Sequence, residues 1–273
     1  MIQKSWTYIK HFFRHDPAVW TTHLILLTAA VFLNGFGGGI LSGVRTNFFV
    51  DTMGLGSDQV LWLEGIREVP GLLLMFIAAF TMHWALSRRA ALALLIAGLG
   101  YALFATSQSY VGLLLMVLLA SLGLHLWFPL YKALGLSLSP KDREGEVMGQ
   151  LASATALAAI AGMGAVALIS NLLPELSLRA YYVLGGVIIA LAAVLLVRIP
   201  TGVGATRKRQ RRLLLKREYW LFYLLTFLQG ARKQVLNTFG LLVLVDRYGL
   251  HVSQISLLLV LSGVVNFIGA PYL

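Results

Sequence analysis

Apolar residues run along this chain in blocks long enough to cross a membrane, each ended by a short polar interval. Eight such blocks begin near residues 21, 59, 90, 110, 147, 180, 218 and 252, and about 20 predominantly apolar residues suffice for one helical crossing. The blocks lack the strict alternation of barrel strands, and a backbone in hydrocarbon must satisfy its own hydrogen bonds, so they predict helices. The expected class is therefore all-α, a polytopic membrane helix bundle. One stretch reads as a linker: 199–217 opens with Pro200, Gly202 and Gly204 and closes with "RKRQRRLLLKR". It divides the chain into an N-terminal segment 1–20, six helices over 21–198, the basic loop 199–217, and two further helices over 218–273.

The two sides of that linker resemble each other. Residues 32–60, "FLNGFGGGILSGVRTNFFVDTMGLGSDQV", align without a gap to 227–255, "FLQGARKQVLNTFGLLVLVDRYGLHVSQI", with nine of 29 positions identical. Apolar bias supplies the Phe, Leu and Val matches; it does not readily supply Asp51/Asp246, Gly54/Gly249 and Gln59/Gln254 in one register. Blocks seven and eight thus read as a second copy of blocks one and two, in the same orientation because six blocks separate them.

Charge sets the expected orientation. With the N-terminus in the cytoplasm, the inside segments hold 16 of the 22 basic residues, and the outside loops keep Arg45, Arg179 and Arg247. The reverse topology would invert this bias, so the positive-inside rule predicts a multi-pass protein of the plasma (inner) membrane with a cytoplasmic N-terminus. The net charge of +11 then belongs to loops beside helix ends and to contact with anionic membrane lipids; no nucleic-acid partner is expected. Only 12% of residues are charged, against about 25% in soluble domains. Cysteine is absent, which excludes disulfides, thiol catalysis and thiolate metal sites. No Walker A loop occurs, and neither metal nor cofactor is expected.

A parallel repeat of six-helix halves joined by a basic loop resembles the major facilitator superfamily of secondary transporters. In the loop before block five, "LSPKDREGEVMGQ", Pro140, Arg143, Gly145 and Gly149 resemble that family's motif spacing. Other motifs depart: "TMHWALSRRAAL" keeps Arg88 and Arg89 but lacks the family's aspartate, and "AAIAGMGAV" lacks the proline of its glycine-rich packing motif. The arginine that many proton-coupled members carry in helix 4 would fall near Val117. The resemblance implies a six-plus-six bundle, with helices 1 and 7 facing across a central cavity. On that reading the sequence is C-terminally incomplete, stopping after two helices of the second half; a natural eight-helix protein is the alternative.

Polar residues inside the apolar blocks are the candidate functional groups, because desolvating them is costly. Arg232 and Lys233 lie about 20 Å along block seven at 1.5 Å per residue. They share one arc with Gln229 and Asn237, while Leu228, Ala231, Val235 and Phe239 take the opposite side. The repeat sets Asn34 against Gln229 and Gly37 and Gly38 against the two cations, so one half offers empty volume where the other offers charge. Substrate contact by Arg232, Lys233, Gln229, Asn237, Asn34 and Gly38 is one reading; neutralisation of the cations by Glu64 or Glu68 is the other. In "LEGIREVPG", Glu64 and Arg67 are spaced to pair along a helix, and Pro70 and Gly71 permit a bend just beyond that pair. Glu64, Arg67, Glu68 and His125 are candidates for coupling or gating, against a static ion pair and a packed histidine.

The function expected is secondary active transport of a small solute, with an anionic character implied by the cations, by alternating access and with H+ or Na+ as coupling ion. At full length the transporter is expected to be a monomer. An intramembrane enzyme or a non-transporting sensor or scaffold on an eight-helix bundle are the alternatives; the sequence shows no catalytic constellation, so an enzyme is not expected.

Overall fold

Among the described residues, helices fall within the predicted blocks. The computed structural model describes residues 20–74, 77, 81, 83–204, 217–221, 224, 225, 228 and 235–269, with 235–237, 268 and 269 as backbone. Helix α1 spans Thr22–Asn47 and continues through a π-helical turn, Phe48–Thr52; the Thr21 hydroxyl caps its start by accepting from the Leu24 N–H at 3.3 Å. Helix α2 is Ser57–Ile66, followed by a turn and a short helical piece, Val69–Leu72. Then come α3 (Leu86–Leu103), α4 (Tyr110–Leu138), α5 (Glu144–Leu172) and α6 (Leu178–Val197). Past the linker, α7 covers Leu241–Asp246 after a π-helical stretch at Val235–Gly240, and α8 covers Val252–Gly269. Among the described residues five helical stretches are long and apolar enough to cross a membrane: Thr22–Thr52, Leu86–Thr106, Tyr110–Leu138, Glu144–Leu172 and Leu178–Val197.

The bend that Pro70 and Gly71 permit falls at the turn before Pro70. Proline has no N–H to give the carbonyl four residues back, and its ring crowds that carbonyl. Counting back from Pro70 reaches Ile66, where α2 stops. The break therefore falls on Arg67 and Glu68.

Helix α1 is the hub, packed between α5 and α6, with α3 against α6 and α4, and α8 against α5 and α1. In lipid, helices associate through close van der Waals contact, so small residues mark the interfaces. A Cβ added at Gly39 would sit 2.3 Å from the Ala159 carbonyl oxygen, and one at Gly162 would sit 2.2 Å from that of Phe36. The two backbones cross in direct contact there. Facing outward, Trp62, Leu72, Val111, Leu115 and Leu168 are exposed, an apolar surface suited to acyl chains.

The repeat is legible as one turn built twice. Gly54 and Gly249 both have φ 63°, the left-handed conformation in which a side chain costs about 1–2 kcal/mol. Leu55 N–H bonds the Phe49 carbonyl at 3.0 Å and Leu250 N–H bonds that of Leu244 at 3.2 Å. One step later the Gln59 side chain accepts from Gly56 N–H at 3.1 Å, and Gln254 accepts from His251 N–H at 3.0 Å. Each glutamine satisfies an orphan amide at a helix start, which accounts for the matched residues. The two turns also hold each other: Ser57 Oγ donates to Asp246 at 3.1 Å, and Asn47 Nδ2 donates to the Leu250 carbonyl at 3.0 Å and to Asp51 at 2.9 Å. Deeper in, the buried Ser256 hydroxyl donates to the Gly43 carbonyl at 3.1 Å.

Candidate functional site

Residues spaced by four and three along α1, namely Asn34, Gly38, Ser42 and Arg45, lie on one helical face. That face borders a cavity of about 300 Å³, with Glu64 and Arg67 opposite and Tyr101, Phe104, Phe128 and Tyr182 among its walls. Gly35 and Gly39, which also border the cavity, pack closely against α5. Among the described residues an added Cβ at Gly38 would meet nothing within 4 Å, so this glycine keeps volume open. A larger groove of about 660 Å³ runs beside α1, bounded by Trp20, Ile25, Thr28, Ala29, Phe32 and Leu33. It has no charged group and is a poor candidate for selecting a polar solute.

The polar side of the smaller cavity is a chain of charges. Glu64 is buried, with 6% of its side chain exposed, between Arg45 Nε at 3.6 Å and Arg67 Nη1 at 3.1 Å. Arg67 also gives Nη2 to Glu68 Oε1 at 3.0 Å, and Glu68 Oε2 lies 3.3 Å from His125 Nε2. Ser121 Oγ donates to the Arg67 carbonyl, fixing the broken turn after α2 against α4. The turn thus places two consecutive charged residues on two sides of one site: Arg67 into the cavity and Glu68 toward α4. Further in, Asn34 Oδ1 is buried with no hydrogen-bond partner among the described residues. Such an acceptor beside a cavity is suited to a donor on a bound solute.

Of the residues singled out in the sequence, Asn34, Gly38, Glu64 and Arg67 line this one cavity, as does Val117. Glu68 and His125 stand behind it, joined through Arg67. Gln229, Arg232 and Lys233 lie outside the described residues, and so does the side chain of Asn237. Among the described residues, the ion-pair partners of Glu64 are Arg45 and Arg67.

Arg45 corrects the sequence reading, which placed it in an outside loop. Helix α1 runs on to Asn47, because the polar residues at 45 and 47 find partners inside the bundle, Glu64 for Arg45 and Asp51 with the Leu250 carbonyl for Asn47. Its spacing from Asn34, Gly38 and Ser42 was the available signal. The repeat adds a second one, since Gly240 stands at the equivalent position. Each half therefore carries cations where the other carries glycine, at different depths along the helix.

Among solved structures, the chain resembles nucleoside transporter NupG with a TM-score of 0.74 at 16% identity, over 92% of this chain and 67% of that one. It resembles a bacterial homologue of the human lysosomal transporter Spinster, inward-facing and occupied, with a TM-score of 0.63 at 18% identity, over 85% of this chain and 56% of that one. The peptide transporter POT follows with a TM-score of 0.52 at 16% identity, over 90% of this chain and 51% of that one. At these identities the likeness concerns the fold, and the chain spans about half to two thirds of each protein's length. No curated protein matches the sequence. The family model of the Major Facilitator Superfamily matches residues 27–273; the chain belongs to that superfamily and is an integral, multi-pass membrane protein of a transporter family.

Proposed function

We propose that the full-length protein is a secondary active transporter that moves a small solute by alternating access, coupled to an ion, H+ or Na+. The observation that carries this reading is the cavity itself. It lies inside an apolar bundle, yet its wall joins an amide oxygen without a partner among the described residues, Asn34 Oδ1, to the charged groups Arg45, Glu64 and Arg67. Buried charge at membrane depth is costly and is kept where a polar cargo must be recognised. Aromatic walls beside it suit a solute with both an apolar body and a polar end.

An anionic group on the solute is the chemistry we assign to Arg232 and Lys233, on the sequence argument, with Gln229, Asn237 and Asn34 orienting it and Gly38 leaving room. The positive-inside bias supports a cytoplasmic N-terminus, which puts the turns at Gly54 and Gly249 on the outer face. We take 21–198 as one transporter half, 199–217 as the loop to the second, and the working unit as a monomer. The test is counterflow in sealed proteoliposomes, using radiolabelled nucleosides, sugars, amino acids and small organic acids in turn. Exchange of label by one class, lost with Arg67→Ala, is expected. A protein that exchanges none of them while remaining folded would favour a sensor or scaffold.

A further inference from the structure

The hydrogen-bond pattern around His125 determines where its protons are. Its Nδ1 lies 2.9 Å from the Ser121 carbonyl oxygen and 3.0 Å from Ser121 Oγ. A carbonyl oxygen only accepts. Ser121 Oγ has a single hydrogen and spends it on the Arg67 carbonyl, so toward the ring it also accepts. Nδ1 must therefore carry hydrogen, and in a neutral imidazole Nε2 would then be bare. Yet Nε2 faces the carboxylate oxygen Oε2 of Glu68 at 3.3 Å. Two bare acceptors repel at that distance, whereas one proton between them makes a charge-assisted hydrogen bond.

We propose that the Glu68–His125 pair is a proton-binding site, taking up one proton onto the Nε2/Oε2 contact and releasing it again during the transport cycle; this rests on the transport reading above. Arg67 links the site to the cavity, since one guanidinium serves Glu68 on one side and Glu64 on the other. With the proton bound, His125 neutralises Glu68 and Arg67 remains with Glu64. Without it, Glu68 leans more on Arg67 and competes with Glu64 for that cation. The charged and titratable groups around the pair among the described residues are Arg67 and Glu64 beside it, Arg45 on α1, Tyr101 on α3 and Tyr182 on α6. The two arginines and two glutamates cancel, so the bound proton leaves this cluster with one positive charge. That state is matched to an anionic group on the solute, which makes proton and solute partners in one direction.

The experiment is nitrogen-15 NMR of histidine-labelled full-length protein in lipid nanodiscs, with His125→Asn identifying the signal, over roughly pH 5 to 9 to span the ordinary histidine range. In the wild type near neutral pH the Nε2 resonance is expected in the protonated or strongly hydrogen-bonded range, with Nδ1 protonated throughout. In Glu68→Gln, Nε2 is expected to lose that proton near neutral pH while Nδ1 keeps its own. Glu68→Asp should restore the wild-type signal in part. A neutral ring carrying its hydrogen on Nε2 would overturn the proposal, as would a wild-type Nε2 that stays bare throughout; should Glu68→Gln not fold, the wild-type titration alone decides. Counterflow on the same wild-type preparation separates the two readings. Its absence strikes the transport reading, whereas counterflow with a bare Nε2 strikes the proton site alone.

Discussion

Adjacent glycines on α1 make the sharpest prediction. Replacing glycine by alanine in a helix interior is worth about 0.5–1 kcal/mol of added stability from backbone entropy alone. Among the described residues the methyl added at Gly38 meets nothing within 4 Å, so Gly38→Ala should keep that gain. At Gly39 the same methyl lands 2.3 Å from the Ala159 carbonyl oxygen, 2.9 Å from Ala159 Cα and 3.0 Å from its carbonyl carbon. Carbon contacts settle near 3.5–4.0 Å, so α1 and α5 must separate by about 1 Å. Both variants share the propensity term, and their difference is the packing cost, about 1–3 kcal/mol for an overfilled interface. Thermal and denaturant unfolding of the purified full-length protein in one detergent would measure it. Gly39→Ala should be the less stable variant, while Gly38→Ala should fold at least as well as the wild type and instead lose transport of its largest solutes through a narrowed cavity. Equal stability, or a less stable Gly38→Ala, would refute the assignment of these neighbours to two different faces.

Further outcomes follow from the charge chain and the turns. Glu64→Gln leaves Arg45 and Arg67 without their shared carboxylate and should destabilise the protein by up to about 3 kcal/mol, with a double-mutant cycle against Arg45→Gln showing coupling of about 0.5–3 kcal/mol. Gly54→Ala and Gly249→Ala should each cost about 1–2 kcal/mol, and nearly equal amounts, because both turns use the same left-handed backbone; unequal costs in matched unfolding curves would argue against a duplicated turn. Removing the cross-turn bonds with Asn47→Ala and Ser57→Ala loses about 1 kcal/mol each, so the double variant should favour separation of the two turns by roughly thirtyfold. Spin labels on Asp58→Cys and Tyr248→Cys, both exposed positions in a chain without cysteine, would report this as a longer distance population; an unchanged distribution would show that the bonds do not hold the turns together.

The repeat gives these turns a wider meaning. The matched residues concentrate where the backbone must turn and cap, at Asp51, Gly54 and Gln59 and their partners, while the cavity-facing residues diverge: Asn34, Gly38, Ser42 and Arg45 stand against Gln229, Lys233, Asn237 and Gly240. A turn geometry tolerates few residues, so both copies retain the same ones. The cavity-facing positions of the first copy are under no such backbone constraint.

Some of this protein could be determined from the sequence by itself, since those features depend on local periodicity and on composition. Apolar runs long enough for hydrocarbon announce α1 and α3 to α6, the register of Gly54 with Gly249 announces the second copy, and the Glu64–Arg67 spacing announces an ion pair that is present at 3.1 Å. Proline at 70 announces a break, though its effect falls one turn upstream, at the carbonyl it cannot serve. What only the tertiary structure decided are relations between segments far apart in the chain. That Arg45 turns into the bundle depends on Glu64 lying across from it; that Glu68 meets His125 depends on the broken turn docking on α4 through Ser121. Gly38 and Gly39 are indistinguishable as residues, and only the position of α5 presses one of them, Gly39, against a backbone. Local sequence carries the preference of each helix for lipid, but the partner of a buried charge is chosen by packing, which no single segment encodes.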